Sequence, residues 1–258
     1  MQTDLVLIRR EGAIARLTLN DPGRANVLSG PMIAALDAAL GQVDGDDAVR
    51  VIVLGAAGRI FCAGHDLAEL RAADQSGARA LFGACSTLMM RIAGFRAPVI
   101  AQVQGAAVAA GCQLVASCDL AYAADTARFA VSGIDLGLFC STPGVALARA
   151  IGRKAAHEML MTGRFVPASE ARELGLINRS VPAQDLDGVV DDVARTIASK
   201  ASDAMALGKS TFRQQIEAPE SEAYGMAARA MVDNLALESA RSGIDAFLAR
   251  QRLTRPRT

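Results

Sequence analysis

Two stretches hold residues whose types and spacing can do chemistry. The first runs Arg59-Ile60-Phe61-Cys62-Ala63-Gly64-His65-Asp66-Leu67. The second runs Gln104-Gly105-Ala106-Ala107-Val108-Ala109-Ala110-Gly111-Cys112-Gln113. Each leaves an apolar run, passes through small residues and enters a helical pattern. The first turn of a helix has N–H groups with no internal partner, and the helix dipole adds partial positive charge there. Two such ends facing one another can both donate to one developing oxyanion. Gly and Ala let the oxygen approach, and each donor contributes roughly 3–4 kcal/mol in a water-poor site. A thioester carbonyl is a suitable target, because its enolate concentrates charge on that oxygen. On spacing alone, small residues at strand-to-helix junctions more often serve packing.

The elements around these stretches follow from periodicity. Leu5–Ile8 and Ile14–Leu19 read as strands joined across Glu11-Gly12, a hairpin signal. Asn20-Asp21-Pro22-Gly23 reads as a turn. Pro31–Val43 has helical spacing after Ser29, a cap residue. Arg50–Leu54, Pro98–Val103 and Leu120–Ala123 read as short buried strands, and Gly77–Phe95 and Ala109–Ser117 as helices. Strands followed by helices predict an α/β chain with a mostly parallel sheet and crossovers. Leu186–Ser199, Asp203–Ile216, Ala223–Leu237 and Ile244–Gln251 read as helices. The Glu222–Leu237 stretch is so apolar that its own core or a second subunit must cover it. These readings divide the chain into a core over residues 1–197 and a helical region over 198–258.

Composition removes several function classes. Lys plus Arg and Asp plus Glu are 27 each, so the formal net charge is zero. A nucleic-acid binder would carry a basic footprint, so no such partner is expected. The same neutrality does little to keep copies apart. Five cysteines without a Cys-x-x-Cys pair, and two histidines, argue against a zinc site. The odd cysteine count reads as reduced thiols. No apolar run reaches spanning length without a charge, and Met1 to Arg10 begins a strand pattern, not a signal region. The expectation is a cytoplasmic protein without a membrane partner. Gly208-Lys209-Ser210-Thr211 looks like the end of a phosphate loop, but Asp203 stands where the earlier glycine is required.

Taken together, the two stretches resemble the crotonase, or enoyl-CoA hydratase/isomerase, superfamily. The pattern is carried by Phe61 to Leu67, Pro98 to Ala101, Gly105 to Ala107, Gly111-Cys112 and Cys118-Asp119. It continues through Phe129, Leu136-Gly137 and Pro143-Gly144. The stretches Ala109 to Asp119, Gly137 to Ala150 and Met231 to Leu237 further resemble a subgroup labelled enoyl-CoA hydratase domain-containing, whose vertebrate members are mitochondrial. The resemblance implies a spiral of strand-strand-helix turns with C-terminal helices that form a homotrimer or a dimer of trimers. It implies an acyl-CoA substrate, with coenzyme A arriving on the substrate and no separate cofactor. It implies that the N–H groups of His65 and Ala110 form the oxyanion hole. Arg24, Ala25 and Val27, with Ala63, Gly64, Asp66 and Leu67, would lie against the adenine and pantetheine. Cys140 would sit at the acyl pocket wall. Lys209, Arg250 and Arg252 are candidates for the CoA phosphates.

This sequence departs from that family at the reacting groups. Hydratases there use two glutamates to hold and activate water. The matching positions are Gln113 and Gly133. Gln can hydrogen-bond a water but cannot take its proton at neutral pH, and Gly supplies no side chain. The carbonyl-holding half is intact while the acid/base pair is gone. Isomerase, hydrolase or decarboxylase chemistry fits as well as hydration, and a binding protein without turnover is the alternative. Gly133 can leave room for a bound anion. The His65 ring is read either as a base or CoA contact, or as a side chain turned away while its N–H serves. The second reading is preferred. Asp66 is read as a helix cap, Cys140 as packing, and Asp135 as no substitute for a glutamate.

Overall fold

The computed structural model describes residues 4–254, with side chains to residue 251. The chain begins with β1 (Val6–Glu11) and β2 (Ile14–Leu19), an antiparallel hairpin pairing Glu11 with Ile14. Next come α1 (Gly30–Asp44), β3 (Val51–Ala56), α2 (Leu67–Ala72), α3 (Gln75–Gly94), β4 (Val99–Val103), β5 (Ala107–Val108), α4 (Ala110–Ser117) and β6 (Leu120–Ala124). The remainder is β7 (Arg128–Ala130), α5 (Ser141–Ala150), α6 (Arg153–Thr162), β8 (Val166–Pro167), α7 (Ala168–Leu174), β9 (Arg179–Val181) and four helices. Those are α8 (Leu186–Ala198), α9 (Ser202–Gln215), α10 (Glu220–Ala236) and α11 (Glu238–Thr254).

The main sheet has strand order β1-β2-β3-β4-β6-β9 and is parallel from β2 onward. Alternation along each strand sends side chains to opposite faces. Val51 and Val53 join Ile14, Ile100 and Tyr122 on one face, where Leu186, Val190 and Ala194 of α8 cover them. Ile52 and Leu54 face the other way, into a larger core with Leu17, Leu36, Leu88 and Leu114 from β2, α1, α3 and α4. Burying a Leu or Val of this kind stabilises by roughly 1.5–3 kcal/mol. A second, smaller sheet has strand order β5-β7-β8.

The helical caps come from the sequence locally. Ser29 accepts from the Met32 N–H at the start of α1, and Asp74 accepts from the Gly77 N–H at the start of α3, satisfying orphan donors. At the other end of the chain, α10 contributes no buried residue. Tyr224, Met231 and Val232 are each about 70% exposed, so the apolar surface of this helix is not covered by the chain's own core. Phe212 of α9 and Ile216 just after it are exposed beside it, and the two helices bound an apolar groove of about 930 Å³. Among the described residues, no helix is long and apolar enough to cross a membrane. None of them forms a group of three or more metal-ligating side chains.

Candidate active site

The site is built where three irregular segments run side by side. The Ala63 N–H donates to Ala25 O at 3.1 Å, and the Leu28 N–H to Gly64 O at 2.8 Å. On the other flank, Phe61 and Cys62 N–H groups donate to Ala106 O, and the Val108 N–H donates to Cys62 O at 2.9 Å. Segment 61–65 is thereby held between turn 25–28 and segment 106–108. Turn 21–26 is fastened by Asn26, which is fully buried with a positive φ of 52°. Its Nδ2 donates to Ala57 O and Ile60 O, and its Oδ1 accepts from the Asp21 N–H.

Glycine is required at two contacts in this stack. A β-carbon on Gly111 would collide with the Cys62 carbonyl oxygen and stand 2.9 Å from the Cys62 β-carbon. On Gly64, which has φ +92°, it would stand 2.9 Å from the Ala109 β-carbon, 3.0 Å from Val108 O and 3.4 Å from the Ala110 nitrogen. The residue before His65 therefore touches the start of α4. Ala109, the residue before that helix, is held at φ 50° and ψ −116°. An L-residue adopts that conformation only when its surroundings impose it, at a cost of about 1–3 kcal/mol.

These contacts set Gly64, the residue before His65, against the Ala110 nitrogen. Among the described residues, neither the His65 N–H nor the Ala110 N–H reaches a protein acceptor. Ala110 is fully buried and opens the eight-residue α4, so its amide carries the dipole's partial positive charge. A buried amide without a partner costs about 1–3 kcal/mol.

The side chains around them have settled roles. The His65 ring turns toward α3 and meets Phe82 edge to face at 5.2 Å between centroids. Its Nε2 is buried and unpartnered. Burial pushes the imidazole below its ordinary value, while the Glu69 charge opposes this in part, so it is neutral at pH 7. Asp66 caps α2 by accepting from the Ala68 N–H at 2.9 Å and also pairs with the Arg24 guanidinium. Arg24 is half-exposed and lies within 3.8 Å of Asp21 as well. Ala25 has φ 54° and gives its carbonyl to Ala63. Val27 lies in the same turn, and Leu67, first in α2, is 57% exposed.

The two positions matched to glutamates look quite different. Gln113 is 4% exposed, and its Oε1 is buried with no partner. Gly133 lies in a short 3-10 turn, Ser132–Leu136. A β-carbon there would overlap the Leu138 carbonyl oxygen and stand 2.8 Å from the Cys140 Sγ. The position of a β-carbon at residue 133 is thus taken by the Leu138 carbonyl and the Cys140 thiol. Cys140 is 7% exposed, and burial raises its thiol, although the Gly133 N–H draws it back in part. The other thiols are higher still, with Cys62 and Cys112 pushed up to about 12 by burial. None is poised as a nucleophile. Asp135 is exposed and lies against Gly163 at the end of α6.

The phosphate candidates divide. The Lys209 Nζ donates to Asp119 Oδ2 at 2.6 Å and to Ala97 O at 3.2 Å, with its side chain 8% exposed. It joins α9 to the start of β6 and does not face solvent. The Arg250 Nε donates to Ala246 O. The Arg252 side chain lies outside the described residues. Sequence reasoning missed Phe82, the Leu138 carbonyl and the strain at Ala109. Only Asn26 left a signal, since Asn is the residue that tolerates a left-handed turn while bonding backbone.

Comparison with known proteins places this geometry. A family model described as enoyl-CoA hydratase/isomerase matches residues 9–254. A relative from Rattus norvegicus, described as enoyl-CoA hydratase domain-containing protein 3, mitochondrial, is 44% identical over 250 residues. The match spans 96% of this chain and 83% of the relative. The crystal structure of an enoyl-CoA hydratase from Mycobacterium smegmatis superposes with TM-score 0.93 at 50% identity, covering 95% of this chain and 96% of that one. The human enoyl-CoA hydratase domain-containing protein 3 structure gives TM-score 0.91 at 43% identity, covering 95% and 98%. The α/β spiral with C-terminal helices is thus the fold of these neighbours. The expected cytoplasmic location does not stand, because the rat relative is described as mitochondrial. The inference failed because a folded domain carries its address outside the residues that set its core.

Proposed function

This chain belongs to the enoyl-CoA hydratase/isomerase family, and from that premise we propose that it binds an acyl-CoA and polarises the thioester carbonyl on the N–H groups of His65 and Ala110. The observation that carries this reading is the contact of Gly64 with the start of α4, where two unpartnered amides adjoin. Arg24, Ala25, Val27, Ala63, Gly64, Asp66 and Leu67 line the CoA side in this reading, and Cys140 the acyl side. The amides stabilise an enolate or related oxyanion, and hydration is weak because Gln113 and Gly133 offer no carboxylate.

The test is crotonyl-CoA hydration alongside calorimetry with acyl-CoAs. Removing acid/base groups lowers rates by about 10²–10⁴-fold, so turnover at least about 100-fold below a family member with both glutamates is expected. Near-normal hydration overturns the second half of the reading, and failure of any acyl-CoA to bind overturns the first. A second reading, an acyl-CoA binding protein without turnover, is favoured by the crowding that even a β-carbon would meet at Gly133. A broad turnover screen separates the two. The uncovered surfaces of α9 and α10 support self-association as a trimer or a dimer of trimers. Light scattering that returns a monomer mass at working concentration contradicts it.

A further inference from the structure

The loop that leads from β3 toward His65 is gripped from two flanks by side-chain amides. Just past the end of β4, the Gln104 Nε2 donates to Ala56 O at 2.9 Å and to Gly58 O at 3.0 Å. From the facing turn, the Asn26 Nδ2 donates to Ala57 O at 2.9 Å and to Ile60 O at 2.8 Å. Four carbonyls of loop 56–60 are thus held by two amide nitrogens, each with two N–H donors to give. Backbone packing closes both flanks. A β-carbon on Gly58, which has φ +80°, would stand 2.7 Å from the Pro22 β-carbon. A β-carbon on Gly105, next to Gln104, would overlap Arg59 O. One residue further, Ala106 O accepts from the Phe61 and Cys62 N–H groups. The two amides are tied differently. Asn26 also fastens its own turn through the Asp21 N–H, whereas both contacts of the Gln104 nitrogen are to the loop.

Resting on the thioester-holding reading, we infer that Gln104 is a positioning residue: through loop 56–60 it sets the spacing of the His65 N–H from the Ala110 N–H, and with it the polarisation of a bound thioester carbonyl. Both donor stretches leave this junction, one through Ile60 to His65 and the other through Gly105 to Ala110. Without the Gln104 donors, loop 56–60 stays tied by Asn26 to the CoA-side turn but loses a tie to the strand that leads to Ala110. The two donors then shift against each other. An oxyanion donor acts over a narrow range of about 2.7–3.1 Å, so the loss falls on the carbonyl and not on the grip on coenzyme A.

The test pairs calorimetry, using butyryl-CoA and free coenzyme A, with NMR of butyryl-CoA carrying carbon-13 at the carbonyl. Bound to the parent protein, the carbonyl signal lies downfield of the free thioester. Gln104→Glu keeps the shape but replaces the donor with an acceptor, and Gln104→Met removes both. Each is expected to bind free coenzyme A as the parent does and to lose about tenfold in its preference for butyryl-CoA, one net hydrogen bond. The carbonyl signal moves back toward that of the free thioester. Arg16→Met, which breaks the pairs with Glu11 and Asp191 beside α8, controls for general loosening and keeps the parental signal. A parental signal in both Gln104 variants, an equal loss for free coenzyme A, or the same change in Arg16→Met overturns the inference. Should Gln104→Glu not fold, Gln104→Met decides alone, and failure of both to fold also overturns it. If the parent itself moves no carbonyl signal and prefers no thioester to free coenzyme A, the thioester-holding reading fails instead.

Discussion

Gly64 and Ala110 are packed so closely that a β-carbon on the first would stand 3.4 Å from the amide nitrogen of the second. In the proposed reading, the gap between these two chain segments sets the room for a thioester oxygen. Gly64→Ala must place a side chain at φ +92° against Val108 and Ala109. The left-handed backbone and the overlap together cost about 3 kcal/mol. Urea unfolding is expected to show that loss, and calorimetry a drop of more than about tenfold in acyl-CoA affinity. A variant of unchanged stability that binds normally would show that the two segments do not form the pocket.

Restoring glutamates is not expected to restore hydration. At position 133 the β-carbon alone overlaps the Leu138 carbonyl and crowds Cys140, so Gly133→Ala should already destabilise by about 2 kcal/mol. The pair Gln113→Glu and Gly133→Glu should remain as inactive on crotonyl-CoA as the parent. Recovered hydration would mean that the 132–138 turn yields easily.

The His65 ring predicts an acid-sensitive stability. Burial holds its folded value below the ordinary 6.5, so just below pH 6.5 the unfolded chain binds more protons. The ring's contribution is complete above pH 6.5 and is lost as acid is added toward the lower folded value. Thermal unfolding of the wild type should therefore fall more steeply between pH 7 and 5 than that of His65→Gln. Parallel curves would refute the assignment.

Lys209 and Asp119 make a prediction about the C-terminal helices. Burial lowers the lysine and raises the aspartate, while each partner pulls the other back. Lys209→Met leaves a mostly buried carboxylate that also serves the Val99 N–H, at a cost of about 3 kcal/mol. Adding Asp119→Asn should recover part of it in chemical denaturation. A single variant with wild-type stability would make the pair a surface contact.

The main sheet and the long helices were legible because alternation and helical spacing report which face is buried. The pattern Val51 to Leu54 needed two covered faces, and α8 covers one of them. The short strands Ala107–Val108 and Val166–Pro167 were not legible, since two residues carry no period. The oxyanion stretches were visible as small residues before helices. The crowding at Gly133 was not, because a glycine states that a side chain is absent without stating what lies beside it. The partners of Lys209 were hidden for a similar reason: Asp119 lies 90 residues away, and no local spacing joins them. Location was misjudged, since nothing in the packing of a core records where the protein works.

Ala109 has a further consequence. Glycine would occupy φ 50° and ψ −116° without strain, yet alanine stands there. The unfolded chain rarely visits that conformation, so the loop cannot be selected early from a pre-existing local preference. It is imposed by its neighbours, where the Ala109 N–H donates to Ala130 O and Cys62 packs on Gly111. The backbone before α4 therefore depends on the integrity of the layers that hold it. Damage far from the site that loosens those layers should disturb it before the protein as a whole comes apart.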